Sequence, residues 1–344
     1  MRAIVTRGKG MMEVADVPEA REPGPGEVLM RPEAIGICGS DFHFFMGELG
    51  PGDGSEFPRI QGHEVGGTIE AVGPDCSKGL SAGDRVALHP ISHCGECYPC
   101  RVGRGNVCDN FSLVGIHEDG GFQERLVLSE ERVFPAPGAS AEVAAMAEPL
   151  SIAVRTVVRA RIEPGERVVV LGAGPIGQAV ALLARDRDAP VLLVDPVESR
   201  LSIGEGTGAE TLPWTDGDEV VSTAREWSGG EGPPVVIDAT GAPDAIRACV
   251  DMAASAGRVV VVGMSHHEVP LRVFSFTEKE LDVLGVSCCQ EQEFADAVEF
   301  VERNSAQVER LITREFPLER APDALRWAME NPAEAMKVVI QQEV

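Results

Sequence analysis

The chain has 344 residues, 44% of them apolar and 25% charged, with a formal net charge of -25 at pH 7. That length predicts about two domains with sizeable cores, and the negative charge excludes nucleic acid as a partner, because phosphates are repelled rather than bound with release of counterions. No apolar run reaches the roughly 18 residues of a membrane span, and the first thirteen residues lack the apolar core of a signal peptide, so a cytoplasmic protein with no membrane partner is expected.

Short apolar runs at 3–5, 28–30, 65–72, 85–88 and 125–128 lie between glycines and prolines. Runs of this length and spacing predict the strands of an all-β barrel or sandwich. Two segments in this half carry metal-binding side chains. One is Cys38-Gly39-Ser40-Asp41-Phe42-His43; the other is Gly62-His63-Glu64, continuing through Gly66 and Gly67 to Gly73. A cysteine, a histidine and a carboxylate are suitable zinc ligands, and three protein ligands leave a coordination position for water or substrate.

Cys94, Cys97, Cys100 and Cys108 follow, four thiols within fifteen residues. In a reducing compartment such a cluster reads as metal ligation rather than disulfides. Zinc in a closed four-cysteine site organises a loop and does no chemistry; an iron–sulfur cluster fits four cysteines as well.

Near residue 150 the pattern changes to alternating strands and helices. Strands are expected at 168–171, 191–194, 235–237, 258–262 and 281–286, with helices to about 185, from Pro196 and from Pro243. Uniformly apolar strands between helical segments predict a parallel sheet covered on both faces. A helix at 294–301 and a last strand at 337–341 complete the chain.

The 168–171 strand runs into Gly172-Ala173-Gly174-Pro175-Ile176-Gly177, a G-x-G-x-x-G motif opening a helix. Gly172 permits the tight turn, Gly174 leaves room for a pyrophosphate, and Gly177 lets helix and strand pack closely. The helix N-terminus offers free N–H groups and a positive dipole end to the phosphates. Asp195 stands eighteen residues after Gly177, at the end of the second strand. A carboxylate there accepts from the ribose hydroxyls of NAD and repels the extra phosphate of NADP. Arg200, close by, is a cation able to pair that phosphate. NAD is the expected cofactor, with NADP less favoured.

In that order, C-x-S-x-x-H, G-H-E-x-x-G-x5-G, the four-cysteine lobe and the glycine motif resemble the zinc-containing medium-chain alcohol dehydrogenases, over nearly the whole chain. The resemblance implies a GroES-like β-barrel catalytic domain, residues 1–149 plus 287–344, with a structural-zinc lobe at 90–110. It implies a Rossmann NAD-binding domain at 150–286. Two zinc ions per chain follow from it, one structural and one catalytic. The catalytic zinc would lie among Cys38, His63, Glu64 and Glu148. Glu148, in Ala147-Glu148-Pro149-Leu150, resembles the polyol and threonine dehydrogenase branch. By the same resemblance Ser40 touches the substrate oxygen and His43 is the outer proton relay. Thr240 and Gly263 lie near the cofactor, and the 279–286 stretch is a strand used for pairing subunits into homodimers or homotetramers.

The implied function is hydride transfer from a secondary hydroxyl of a polyol, sugar alcohol or sugar acid to NAD. L-Threonine 3-dehydrogenase and other zinc alcohol dehydrogenases are the alternatives within the class; a non-catalytic dinucleotide-binding regulator is the alternative outside it. Ser287-Cys288-Cys289-Gln290 stands where sorbitol dehydrogenases carry an arginine and aromatics, which points to a different polar group on the substrate, such as a carboxylate. His89, His93, His117, His266 and His267 are expected to be structural or exposed.

Overall fold

A computed structural model describes residues 1–48, 56–265 and 267–342; His266 lies outside them. The chain divides into two compact units, Met1–Ser151 with Gln290–Val344, and Ile152–Cys289.

The first unit is built on a seven-stranded sheet. Its axis is the strand Glu27–Gly36, whose first residues alternate between buried and half-buried, whereas its last five are all buried. The change follows from its neighbours. Glu64–Val72 pairs antiparallel along its length, Leu126–Ser129 pairs with its first residues, and Lys337–Gln341 pairs with residues 34–36. The end of the chain therefore returns to the strand that leads into Cys38. Ile312–Pro317 lies parallel to Lys337–Gln341 at the sheet's edge. A three-stranded sheet is formed by Met11–Asp16, Arg2–Gly8 and Arg59–Ile60. Ile4, Met30, Ile35, Ile69, Leu88 and Phe122 are fully or almost fully buried in this unit's core. A short hairpin-like pair, Ile91–Ser92 with Ser112–Leu113, closes the base of the cysteine lobe.

The second unit carries six parallel strands, in the order 210–213, 191–195, 168–171, 235–238, 258–261 and 282–285. Val168–Leu171 and Val235–Asp238 are buried at every position, as a sheet covered on both faces requires. The strand order reverses at 168–171, and such a switch point opens a crevice beyond the strand C-termini. The expected strands all form, most within a residue or two of their expected ends; those expected at 3–5 and 28–30 run on to Gly8 and Gly36. Glu210–Pro213 and Ile312–Pro317 are additional edge strands, and Gly217–Trp227 and Ala321–Glu330 are additional helices.

Candidate functional site

The strand Glu27–Gly36 delivers Cys38 to the N-terminus of the helix Gly39–Phe45. Asp41 locks this turn: its Oδ2 accepts the Cys38 N–H at 2.9 Å. His63 and Glu64 stand at the start of Glu64–Val72, where Glu64 is paired with Gly36. A side chain at Gly36 would displace the Glu64 carboxylate, since its Cβ would fall 2.0 Å from Glu64 Oε2. The sheet thus brings together Cys38, His63 and Glu64, whose ligand atoms lie within 4.8 Å of one another. His63 and Glu64 are buried and Cys38 is half-buried.

The two edges of the His63 ring face different groups. Nε2 lies 3.3 Å from the Ser40 hydroxyl, and Nδ1 lies 3.9 Å from Asp41 Oδ1. Burial works against a charged imidazole, yet the charges of Asp41 and Cys38 outweigh it and hold the His63 pKa well above its ordinary value. Glu148, buried in the first turn of the helix Ala147–Ala160, is outside the 4.8 Å cluster but feels its charges. Burial raises its carboxyl to about 7; His63 opposes the rise and Glu64 adds to it. His43 takes a more peripheral place, with Nδ1 2.7 Å from Glu48 near the surface.

Three residues outside the expected ligand set complete this centre. Asp41 sits fully buried between Cys38 and His63, and Gln61, also fully buried, donates to it. Lys337 comes from the last strand. Its Nζ donates to both oxygens of Glu64, at 2.6 and 2.7 Å, and to the Ile37 carbonyl at 3.1 Å. Burial would lower the Lys337 pKa, but Glu64 and Cys38 more than compensate and keep the ammonium charged. Asp41 is readable in the C-x-S-D string, whereas no local pattern marks Gln61 or Lys337.

The donors fit zinc. A thiol, an imidazole and a carboxylate converge in an environment where uncompensated charge is costly, and a dication supplies compensating positive charge. The four-cysteine lobe fits it as well. Its sulfurs are all free thiols, with Cys97–Cys100, Cys94–Cys108 and Cys97–Cys108 separations of 3.4, 3.4 and 3.6 Å. Those distances are far longer than a disulfide and near the edge of about 3.8 Å that a tetrahedron of ~2.3 Å zinc–sulfur bonds requires. The N–H groups of Cys94 and Asn110 both point at Cys108 Sγ, at 3.3 Å. Backbone N–H groups of Glu96 and Cys97 pull the Cys94 thiol down to about 6, while burial and the neighbouring thiols push Cys100 up to about 12. Such a set becomes four thiolates only around a cation.

In the second unit, a cavity of about 420 Å³ opens at the switch point, lined by Gly172, Gly174, Asp195, Arg200, Trp214 and Thr240. Gly177 packs the helix Pro175–Asp186 onto the turn so closely that a Cβ there would meet the Gly172 carbonyl oxygen at 1.7 Å. Pro175 and Ile176 form the first turn of that helix, after the N-cap Gly174. Asp195 has a double task. Its Oδ2 accepts the Ala173 N–H at 2.7 Å and its Oδ1 the Val197 N–H at 2.8 Å, so it ties the glycine turn to the end of its own strand. The Arg200 guanidinium lies 3.8 Å from Oδ2. Thr240 is held by Asp238, whose Oδ1 accepts its hydroxyl at 2.6 Å. Gly263 is not among the lining residues of the cavity; it backs the turn at 240–241, where its Cβ would meet the Gly241 nitrogen at 2.1 Å.

Residues 24–138 match the family described as Alcohol dehydrogenase GroES-like domain, and residues 175–303 match the family described as Zinc-binding dehydrogenase. The chain is 32% identical over 320 residues to L-galactonate-5-dehydrogenase of Escherichia coli, covering 92% of each. Among solved structures it resembles a zinc-binding dehydrogenase from Sinorhizobium meliloti bound to NADP, at TM-score 0.89 and 30% identity over 99% of this chain and 98% of that one. It also resembles an Escherichia coli alcohol dehydrogenase complexed with NADH, at TM-score 0.88 and 29% identity over 99% of each chain.

Proposed function

The chain belongs to the zinc-containing medium-chain alcohol dehydrogenase family, and we propose that it oxidises a secondary hydroxyl of a polyol, sugar alcohol or sugar acid with NAD as hydride acceptor. It is an oxidoreductase acting on CH–OH groups, with a GroES-like unit and a Rossmann unit. The convergence of Cys38, His63 and Glu64 carries the reading.

In this proposal Cys38 and His63 hold the catalytic zinc, with carboxylate ligation shared between Glu64 and Glu148. Lys337 already claims both oxygens of Glu64, which favours Glu148 as the readier carboxylate. Cys94, Cys97, Cys100 and Cys108 hold the structural zinc. Zinc, when bound, supplies Lewis-acid polarisation of the substrate oxygen, and the nicotinamide supplies the hydride acceptor. Ser40, beside His63, takes the substrate hydroxyl proton; a hydroxyl both accepts and donates, so it passes a proton on without gaining charge. His43, with Glu48 at its Nδ1, hands protons to solvent.

The relative that oxidises L-galactonate bears a carboxylate on its substrate by name, which supports sugar acids within the proposed class. Asp195 favours NAD, and the nearby Arg200 is the group that an NADP phosphate would use. The edge strand Asp282–Gly285, with Val283 exposed, is the proposed site of subunit pairing in a homodimer or homotetramer. Among the described residues no helix is long and apolar enough to cross a membrane, in keeping with a proposed cytoplasmic location.

The test is NADH formation by zinc-loaded protein over a panel of polyols, sugar acids, L-threonine and simple alcohols, with chelator and NADP controls. Chelator-sensitive oxidation of a polyol or sugar acid is expected. Turnover confined to L-threonine or primary alcohols overturns the substrate class.

A further inference from the structure

Behind His63 runs a line of four buried polar side chains: Thr6, Gln61, Asp41 and His63, with the first three fully enclosed. The Thr6 hydroxyl donates to Gln61 Oε1 at 2.6 Å. Gln61 Nε2 donates to the Asp41 carbonyl at 3.0 Å and to Asp41 Oδ1 at 3.2 Å. The orientation of the amide is dictated by chemistry. The carbonyl and carboxylate oxygens of Asp41 can only accept, so the nitrogen must face them and the oxygen must face the Thr6 hydroxyl. A buried amide with both ends satisfied is a stiff strut, because any reorientation leaves acceptors facing acceptors.

This strut ends at a telling atom. Asp41 Oδ1, the oxygen that Gln61 holds, is the one 3.9 Å from His63 Nδ1, and that nitrogen is buried with no hydrogen-bond partner. The other carboxylate oxygen is committed to the Cys38 N–H. Carboxylates placed behind a ligating histidine fix its ring and tune its affinity for metal. We infer that Gln61, backed by Thr6, is a positioning residue for His63: it acts through Asp41 by fixing the oxygen that faces the imidazole, so that Nε2 is presented to Cys38 and the metal. The inference rests on the reading that Cys38 and His63 hold zinc.

The experiment measures zinc content and affinity of the full chain by competition with a chromogenic chelator, and the visible absorption of cobalt in place of catalytic zinc. The variants are Q61L, T6V, D41N and the double variant Q61L/D41N. Wild type is expected to bind two zinc ions. Q61L should weaken the catalytic site about tenfold and alter the cobalt spectrum, while the four-cysteine site keeps its metal. T6V, close in shape to threonine, should do the same to a smaller extent. Because Gln61 acts through Asp41, Q61L should add little in the D41N background. Unchanged affinity and spectrum in both Q61L and T6V overturn the inference, as does equal loss at both sites or full additivity with D41N. Wild type that binds only the four-cysteine zinc overturns the underlying reading of the site instead.

Discussion

Lys337 spends all three of its ammonium protons within the first unit, two on the oxygens of Glu64 and one on the Ile37 carbonyl, across 273 residues of sequence from Glu64. Both partners are almost wholly buried. Removing one partner of such a pair leaves a stranded charge, at a cost of about 3–5 kcal/mol. K337M is therefore expected to lower unfolding stability by about that amount in denaturant titrations, and K337M/E64L to recover most of it. A K337M protein within about 1 kcal/mol of wild type, the value of an exposed pair, contradicts the pairing.

Asp195 anchors the glycine turn and also lines the cavity at the switch point, where the cofactor is proposed to bind. Wild type should favour NAD over NADP by at least about tenfold in kcat/KM, because a buried carboxylate repels the extra phosphate. D195A should narrow that ratio and raise KM for both cofactors, since the Ala173 N–H loses its acceptor. Steady-state kinetics with the two cofactors decide it, and equal or better turnover of wild type with NADP sinks the assignment.

The cysteine lobe should behave as a metal-dependent fold element. C100S is expected to reduce zinc from about two ions to about one per chain and to lower the melting temperature, since binding energy at such a site is folding energy. Elemental analysis and thermal melts measure both. Two ions retained in C100S would remove that cysteine from the ligand set.

His89 supplies a pH dependence unrelated to metal. It is packed against Phe134 and Phe294, with ring centroids at 6.1 and 5.0 Å, and its Nε2 has no partner. Burial, reinforced by Arg132, lowers its pKa from 6.5 to about 4. The folded state thus prefers the neutral ring, and between pH 6.5 and 4 the unfolded chain binds more protons. Stability from this residue is fully present above pH 6.5 and falls with pH down to about 4, by up to roughly 3 kcal/mol. H89F should flatten that part of the stability curve relative to wild type. Parallel curves for the two proteins would show that His89 titrates normally.

The strands are legible in the sequence at 168–171, 191–194 and 235–237 because each is buried on both faces and so reads as an unbroken apolar run. Two edge strands, Glu210–Pro213 and Ile312–Pro317, give no such signal: the second exposes most of its side chains and resembles a loop in composition. The same divide runs through the site. Cys38, His63 and the four cysteines stand in spaced motifs whose chemistry is readable without coordinates. Gln61 and Lys337 are single polar residues whose importance comes from what the sheet sets beside them. A lysine opening an apolar strand ordinarily reads as a solvated end, and only the pairing of residues 34–36 with 339–341 reveals that this one is interior.

The return of 337–341 to the first unit also sets a timetable for biosynthesis. At ribosomal rates of about 5–20 residues per second, the 273 residues between Glu64 and Lys337 take roughly 14–55 s to emerge. The Rossmann unit, drawn from one continuous stretch that ends at Cys289, is complete before the last strand emerges and can fold while the nascent GroES-like unit still lacks that strand. The Glu64 carboxylate therefore gains its buried cationic partner only when the last strand arrives.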